Sequence, residues 1–356
     1  MQKQSITDLI RAEILALSAY HVPDSGKMIK LDAMENPYQW NETLQQQWLE
    51  NIQHAALNRY PDPAARELKQ ALRTTMQIPD GNDIMLGNGS DELIQMLALT
   101  FSGDNKILLA PEPSFAMYKL IAQVAGMKYI GVSLDKNFNL DMFALLETIE
   151  AHQPSVVFIA YPNNPTGNAF SISDIEAVIE TSTGLVVIDE AYSPFADHTF
   201  MSRLNDYPNL LVMRTISKLG LAGLRLGLLA GATQWLEQIE KTRLPYNINV
   251  LTQMSALFAL QHYDIFQAQT QQIRQDRATL LSALQEHENI EVWESQTNFI
   301  LFRVPHATAL FEGLKAQGIL IKCLHGSHPM LDNCLRVTVG TPEENQAFLN
   351  ALENLI

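Results

Sequence analysis

Short runs of aliphatic and β-branched residues alternate with helical patterns along much of the chain. The runs are KILLA (106–110), MKYIGVSL (127–134), VVFIA (156–160), LVVID (185–189), NLLVMR (209–214) and LGLLAG (226–231). Segments between them, such as 114–125 and 173–181, carry apolar residues at helical spacing. Continuous apolar strands separated by helices are typical of a parallel sheet covered on both faces. The pattern predicts an α/β domain with ligands at the carboxyl ends of its strands.

The pattern changes in the last third of the chain. Residues 250–304 contain no glycine or proline, which predicts one or two long helices. Three strand-like runs follow: TNFILFRV (297–304), GILIKC (318–323) and CLRVTVG (334–340). One predicted helix lies between the first two runs, and another lies at the end of the chain. They indicate a smaller α+β domain. We assign residues 1–40 to an N-terminal segment joining this small domain, 41–260 to the large domain and 261–356 to the small domain.

Composition and charge narrow the classes of function. Of 356 residues 47% are hydrophobic and 18% charged, which is typical of a globular chain. A net charge of -15 with no Lys/Arg-rich run disfavours nucleic acid and anionic membranes as partners. In the N-terminal 20 residues, Asp8, Arg11 and Glu13 interrupt the apolar run that a signal peptide needs. We therefore interpret this segment as an amphipathic helix. We expect a cytoplasmic protein.

The two cysteines, Cys323 and Cys334, give no sign of a metal site or a disulfide framework. Their spacing fits neither a zinc motif nor the paired pattern of a secreted scaffold. We expect both to be reduced, and we predict no metal.

The stretch TISKLGLAGLRLG (215–227) contains Lys218 and Arg225 and no acidic residue. Long basic side chains can reach from an apolar segment to water, which is one explanation. The other is that a bound anion supplies the missing negative charge.

GNGSDELIQMLALTF (87–101) places two glycines before Ser90, Asp91 and a helical pattern. Glycines let the backbone approach a ligand, and the N–H groups of a helix start attract phosphate. An ordinary Ser or Asp helix cap is the alternative. The dinucleotide fingerprint requires glycine where Glu92 stands, which disfavours an NAD site.

Two further motifs follow predicted strands. AYPNNPTGNAF (160–170) forms a turn under any interpretation, and its position lets an asparagine amide donate to a ligand. LVVIDEAYSPF (185–195) ends a strand with Asp189, and Tyr192 follows. A buried carboxylate needs a positive or hydrogen-bonding partner, such as a pyridinium nitrogen. Taken alone, this motif is equally compatible with a strand that ends at the protein surface, where Asp189 would be exposed to solvent.

Together and in this order, these motifs resemble the fold-type I pyridoxal-phosphate aminotransferases. The resemblance implies an α/β fold: a large domain with a mainly parallel seven-stranded sheet covered by helices, and a smaller α+β domain built from both termini. It implies pyridoxal 5'-phosphate as the cofactor and a homodimer as the active unit. Tyr60 in NRYPDP matches a tyrosine that reaches the phosphate in the neighbouring subunit.

The resemblance also implies roles for residues around the cofactor ring. Lys218 would form the Schiff base with the cofactor aldehyde and then transfer protons as a general base. Asp189 would pair with the ring nitrogen. Asn164 and Tyr192 would donate hydrogen bonds to the ring hydroxyl oxygen, and Phe115 would stack on the ring. As catalytic residues we take Lys218, Asp189 and Tyr192.

The cofactor phosphate would be held by Ser90, Asp91, Ser217 and Arg225. Arg225 lies seven residues after the lysine, one fewer than is common in the family. Glycines at 220 and 223 make a tighter path possible.

Within this superfamily the chain most resembles the histidinol-phosphate aminotransferases. The stretches that carry the resemblance are LDAMENPY (31–38), NRYPDP (58–63), GNGSDE, PNNPTG, IDEAY, TISK, AGLRLG and CLRVTVGTPEEN (334–345). The implied reaction transfers the amino group of L-histidinol phosphate to 2-oxoglutarate. Its products are imidazole-acetol phosphate and glutamate, in histidine biosynthesis.

The same resemblance implies a substrate site. Arg336 would receive the α-carboxylate of 2-oxoglutarate or glutamate, since its planar fork suits bidentate binding. Tyr20 and Asn36 match positions near the substrate. Lys322 stands where the family has an arginine that binds the substrate phosphate, and Met34 stands where asparagine is frequent.

Three alternatives remain open from the sequence. An aromatic amino-acid aminotransferase would turn over phenylalanine or tyrosine faster than histidinol phosphate. A threonine-phosphate decarboxylase would release carbon dioxide without a keto acid. A non-catalytic binding or regulatory protein would take up no cofactor.

Overall fold

A computed structural model describes residues 5–19 and 23–356 of the chain. Its helices are α1 (Ile6–Leu9), α2 (Ala12–Leu15), α3 (Glu42–Ile52), α4 (Arg66–Thr75), α5 (Ser90–Phe101), α6 (Met117–Ala125), α7 (Met142–His152), α8 (Ile172–Thr181), α9 (Thr233–Ile239), α10 (Val250–Gln261), α11 (Tyr263–Gln285), α12 (Ala307–Ala316) and α13 (Pro342–Glu353). Its strands are β1 (Ile29–Lys30), β2 (Asn82–Gly87), β3 (Ile107–Glu112), β4 (Lys128–Ser133), β5 (Val156–Ala160), β6 (Leu185–Asp189), β7 (Leu210–Thr215), β8 (Gly227–Ala232), β9 (Glu291–Val292), β10 (Phe299–Arg303), β11 (Ile319–Leu320), β12 (Lys322–Cys323) and β13 (Cys334–Thr338).

A seven-stranded sheet forms the centre of the large domain, in the order β2-β8-β7-β6-β5-β3-β4. The pairs from β4 to β7 are parallel, whereas β8 runs antiparallel to both β2 and β7. The predicted α/β class with a mainly parallel sheet is confirmed. Strand β2 was not among the predicted runs, because NDIMLG begins with two polar residues and contains only three consecutive apolar residues.

The two faces of the sheet bury alternate residues of the same strands. In β5 and β6, Val157, Ile159, Val186 and Ile188 belong to one core and Val156, Phe158, Leu185 and Val187 to the other. Successive side chains of a strand point to opposite faces, so a strand covered on both sides reads as a continuous apolar run. This is why the strands were visible in the sequence.

The small domain has its own core, around the sheet β12-β13-β10-β9 and the pair β1-β11. The predicted strand GILIKC divides: Ile319 and Leu320 pair with β1, whereas Lys322 and Cys323 pair with β13. The parallel β1-β11 pair attaches the N-terminal segment to this domain. Helix α11 packs on both cores, so the boundary at residue 260 stays a prediction.

The prediction of one amphipathic helix at the N-terminus is wrong for residues 5–19, the part of that segment that the structure describes. Instead of one helix, α1 and α2 each make about one turn, and the backbone is extended at Ile10 between them (φ -102, ψ 137). The break brings the guanidinium of Arg11 to the carbonyl of Val124 at the end of α6, 2.5 Å away. A tertiary contact therefore overrides the local helical pattern. No helix among the described residues is long and apolar enough to cross a membrane.

Candidate active site

A cavity of about 110 Å³ opens where β5, β6 and β7 end. Its lining residues come from distant parts of the sequence: Met34, Ser90, Asp91, Phe115, Ala160, Pro162, Asn164, Asp189, Ala191, Tyr192, Thr215, Ser217, Lys218 and Arg225. Parallel strands bring their carboxyl ends to one edge of the sheet, and the loops that follow them meet there. The cavity therefore collects most of the residues that the sequence indicated.

Lys218 follows β7 in a short 3₁₀ turn, Ser217–Leu219. Its Nζ donates to the carbonyl of Ala33 at 3.2 Å and lies 5.7 Å from the centre of the Tyr192 ring. Burial lowers the pKa of the amine to about 8, and the nearby Arg336 cation acts in the same direction. An amine with this pKa is readily available in its neutral, nucleophilic form.

Asp189 is the last residue of β6 and is buried. Its Oδ2 accepts a hydrogen bond from the Tyr118 hydroxyl at 2.6 Å, and its Oδ1 accepts one from the Ala191 N–H at 3.1 Å. Burial raises the pKa of the carboxyl to about 6, although both hydrogen bonds lower it. Above that pH the site offers a buried anion, which suits a cationic ring nitrogen.

Sequence reasoning missed Tyr118. It lies three residues after Phe115 in PEPSFAMY and faces the sheet from α6. An aromatic residue at helical spacing looks the same as an ordinary core residue in the sequence. The polar end of this one lies in the site, and its ring contacts the Phe115 ring edge to face at 5.5 Å.

Asn164 links the two sides of the cavity. Its Nδ2 donates to the Tyr192 hydroxyl at 3.2 Å, and its Oδ1 accepts from Arg336 Nη1 at 2.5 Å. Because the arginine can only donate, the amide is oriented with Nδ2 towards Tyr192. Arg336 also donates to the Asp32 carbonyl at 3.2 Å, and its guanidinium lies 5.0 Å from the centre of the Phe299 ring.

The start of α5 forms an anion-binding corner. The first N–H groups of a helix have no partner within the helix, and here they follow Gly89 at φ +86. A Cβ on Gly89 would lie 2.5 Å from Arg225 Nη2, and one on Gly227 would lie 2.8 Å from the Ser90 nitrogen. Gly89 is favoured by its positive φ, and Gly227 is required because a side chain there would meet the backbone of the helix start.

The short spacing between Lys218 and Arg225 is accommodated by tight turns. Two 3₁₀ turns, Ser217–Leu219 and Ala222–Leu224, are joined through Gly220 at φ +119. Arg225 itself adopts the left-handed conformation, at φ +48. This places its guanidinium 3.5 Å from both Ser217 Oγ and Asp91 Oδ2. The loop is therefore long enough to bring Arg225 to the helix start.

Met34 and Phe115 supply apolar lining. Met34 has φ +53, a region that asparagine and glycine adopt more easily. Its N–H donates to Thr338 Oγ1 and its carbonyl accepts from Asn298 Nδ2, each at 3.0 Å. These two bonds hold the segment against the small domain.

Other predicted residues lie outside the lining of the cavity. Asn36 donates to the Leu219 carbonyl at 2.9 Å and to Gln269 at 3.0 Å, so it supports the turn that carries Lys218. Lys322 lies directly opposite Arg336 in the β12-β13 pair. Tyr60 is 80% exposed and stacks on Tyr246 with the ring centres 4.4 Å apart. Tyr20 lies outside the described residues.

Comparison with known proteins gives the same family along nearly the whole chain. Residues 26–352 match the family described as Aminotransferase class I and II. The chain is 54% identical over 355 residues to Histidinol-phosphate aminotransferase 2 of Nitrosococcus oceani, covering 99% of both chains. It is 50% identical over 351 residues to Histidinol-phosphate aminotransferase 2 of Cupriavidus pinatubonensis, covering 97% of this chain and 96% of that protein.

The fold is also similar to that of a solved structure. The histidinol-phosphate aminotransferase from Sinorhizobium meliloti, in complex with pyridoxal-5'-phosphate, superimposes with a TM-score of 0.87 at 22% identity, covering 97% of both chains. At that identity the likeness concerns the fold, whereas the family follows from the closely similar sequences. The chain therefore belongs to the class I and II aminotransferases, in the family of histidinol-phosphate aminotransferases.

Proposed function

We propose that the protein transfers the amino group of L-histidinol phosphate to 2-oxoglutarate with pyridoxal 5'-phosphate as cofactor. One observation carries the proposal: Lys218, Asp189 and the corner between Ser90 and Arg225 share one cavity. The 54% identity to a relative named histidinol-phosphate aminotransferase supports this substrate. The cytoplasmic location stays a prediction.

The residues of the cavity fit this cofactor. Arg225 makes only long contacts, of 3.5 Å, with Ser217 and Asp91, so its guanidinium N–H groups can turn to an anion at the helix start. Glycine at 89 and 227 keeps the helix start open. Ser90, Asp91, Ser217 and Arg225 would hold the phosphate, Asp189 the ring nitrogen, Asn164 and Tyr192 the ring hydroxyl, and Phe115 one face of the ring. When bound, the cofactor supplies an aldehyde that bonds to amines and a ring that accepts electrons.

Lys218 is the base of the proposed reaction. Its amine, with a pKa lowered by burial, takes the proton from the substrate carbon that bears the amino group. The ammonium so formed is the acid for the return transfer. Arg336 and Arg225 keep the site cationic, which disfavours the charged form of the amine between transfers.

Two positive charges lie on the β12-β13 pair of the small domain, whose Arg336 contacts Asn164 in the cavity lining. Lys322 and Arg336 are directly opposite residues of an antiparallel pair, so their side chains lie on the same face of the sheet. Like charges in this arrangement repel, and an anionic substrate relieves the repulsion. Arg336 would bind the carboxylate of 2-oxoglutarate and Lys322 the phosphate of histidinol phosphate.

The active unit in this proposal is a homodimer in which Tyr60 completes the neighbouring phosphate site. Tyr60 and Leu57 are 80% and 72% exposed, and Leu244 near Tyr246 is 73% exposed. Exposed apolar side chains in a group are typical of a protein interface. Light scattering on the purified protein tests this: we expect the mass of a dimer, and the mass of a monomer contradicts it.

A coupled transamination assay tests the reaction. Histidinol phosphate, phenylalanine and threonine phosphate are compared at equal concentration with 2-oxoglutarate as acceptor, and glutamate and carbon dioxide are both measured. We expect glutamate formation to be fastest with histidinol phosphate. Faster turnover of phenylalanine, or carbon dioxide release without a keto acid, would overturn the substrate assignment.

A further inference from the structure

Tyr118 brings a hydroxyl to Asp189 from outside the cavity lining. It is fully buried on α6, and its hydroxyl lies 2.6 Å from Asp189 Oδ2. Its ring stacks on Phe158 of β5 with the centres 4.7 Å apart and meets the Phe115 ring edge to face. The ring is held on two sides, so the direction of the hydroxyl is fixed.

The carboxyl of Asp189 is held at both oxygens. Tyr118 donates to Oδ2 and the Ala191 N–H donates to Oδ1. An ionised carboxylate oxygen has a second lone pair, so each oxygen can accept one more hydrogen bond. Two donors on different oxygens prevent rotation of the group and leave its remaining lone pairs for a third donor.

We propose that Tyr118 is a positioning residue of the active site, whose hydroxyl keeps Asp189 ionised and oriented towards the ring nitrogen of the cofactor. This inference rests on the proposed function, since it assumes that the ring nitrogen faces Asp189. A hydrogen bond to the charged form of a carboxyl favours that form. The negative charge of Asp189 would then keep the ring nitrogen of a bound cofactor protonated.

The surroundings of Asp189 make such a donor necessary. Burial is the largest influence on its pKa and acts upwards, and the neighbouring charges of Asp91 and Glu190 act in the same direction. Among the main influences on this pKa, the hydrogen bonds from Tyr118 and Ala191 are the two that lower it. Without the phenol, the shared proton would move from the ring nitrogen towards Asp189. Burial and Asp189 raise the pKa of Tyr118 itself, so the phenol stays a donor.

A role in packing alone does not explain the hydroxyl. Within residues 5–19 and 23–356, its one hydrogen bond is to Asp189. Phenylalanine would keep both ring contacts and would avoid the burial of a polar atom. If only packing mattered, Tyr118→Phe would be neutral or stabilising.

The test is Tyr118→Phe in the full-length enzyme, loaded with pyridoxal phosphate that carries ¹⁵N in its ring. The ¹⁵N chemical shift reports protonation of the ring nitrogen directly. We expect the shift to move towards the unprotonated value, with kcat reduced about tenfold or more and KM for histidinol phosphate changed less than threefold, as for loss of a hydrogen bond to a charged group. The affinity for the cofactor, from titration of the cofactor-free protein, should fall severalfold.

The matched control is Tyr129→Phe. Burial and the neighbouring Glu112 carboxyl raise the pKa of the Tyr129 hydroxyl, and the residue lies outside the cavity lining. This variant should keep the wild-type ¹⁵N shift and kcat. A wild-type shift and kcat in Tyr118→Phe would overturn the inference while leaving the proposed function intact. Failure of the wild-type protein to bind the cofactor would instead overturn the proposed function.

A second substitution covers the case in which Tyr118→Phe does not fold. 3-Fluorotyrosine at position 118 keeps the ring and makes the phenol a stronger donor. We expect the ¹⁵N shift to stay at the protonated value, with kcat retained. A shift towards the unprotonated value would contradict the inference.

Discussion

At the scale of single residues, burial brings the pKa values of Asp189 and Lys218 to about 6 and about 8. The amine is easier to deprotonate than in water, which favours its role as a base. The carboxyl is harder to ionise than in water, and the hydrogen bonds from Tyr118 and Ala191 oppose that effect. Both pKa shifts lower the free energy of unfolding of the cofactor-free chain, because each group is ionised less easily in the folded state than in the unfolded state. The site therefore contains destabilising groups that a cofactor would compensate.

Asp189→Asn should stabilise the cofactor-free protein in a pH-dependent way. The folded pKa of Asp189, about 6, exceeds its ordinary value of 3.8, so stability is lost as the pH rises through that interval. Asparagine does not ionise, and its single oxygen can still accept from Tyr118, but the hydrogen bond from the Ala191 N–H is then lost, which reduces the gain. We expect the Tm at pH 8 to rise by about 1–2 °C, which corresponds to roughly 1 kcal/mol in a chain of 356 residues.

Calorimetry at pH 8 and pH 4.5 supplies the comparison, because the difference between the two proteins should be much smaller at the lower pH. The same variant should bind pyridoxal phosphate more weakly than the wild type. A Tm below that of the wild type at pH 8 would contradict the prediction that ionised Asp189 destabilises the cofactor-free protein.

At the scale of elements, the strand ends and the turns after them build the site. Apolar runs predicted six of the seven strands in the large sheet, and the polar residues that follow these runs predicted the position of the cavity. The sequence did not predict how Arg225 reaches the helix start, because left-handed residues at 220 and 225 leave no mark in a periodic pattern. Tyr118 was missed for a related reason. Helical spacing predicts that its side chain is buried, but it does not indicate what the hydroxyl at the end of that side chain contacts.

Gly89→Ala tests the corner between α5 and Arg225. A Cβ there would lie 2.5 Å from Arg225 Nη2, so the arginine must move away from the helix start. We expect the affinity for pyridoxal phosphate to fall at least tenfold, because a charge-assisted hydrogen bond contributes roughly 1.5–3 kcal/mol. Fluorescence titration of the cofactor-free protein measures it.

The matched control is Gly81→Ala. Gly81 has the same φ of +86, and nothing lies within 4 Å of the Cβ position. This variant carries the backbone strain alone, so its affinity for the cofactor should equal that of the wild type. Equal loss in both variants would mean that strain, and not the position of Arg225, is responsible.

At the scale of the whole molecule, the cavity depends on both domains and on the segment before them. Lys218 and Asp189 come from the large domain and Met34 from the N-terminal segment. Arg336, from the small sheet, contacts the lining residue Asn164. Helix α11 packs on both cores, with Phe266 on one and Ile273 on the other. The sequence predicted the two domains from the change in periodicity. It could not show how their faces meet, since contacts between distant segments have no local signal.

The central claim is that Lys218 is the amine that bonds to pyridoxal phosphate. Borohydride treatment of the loaded protein, followed by protease digestion and mass spectrometry, locates the attached phosphopyridoxyl group. The account predicts a single labelled peptide with the group on Lys218, and no label at this position in Lys218→Ala. A label on another lysine of the wild-type protein, or no label at all, would contradict it.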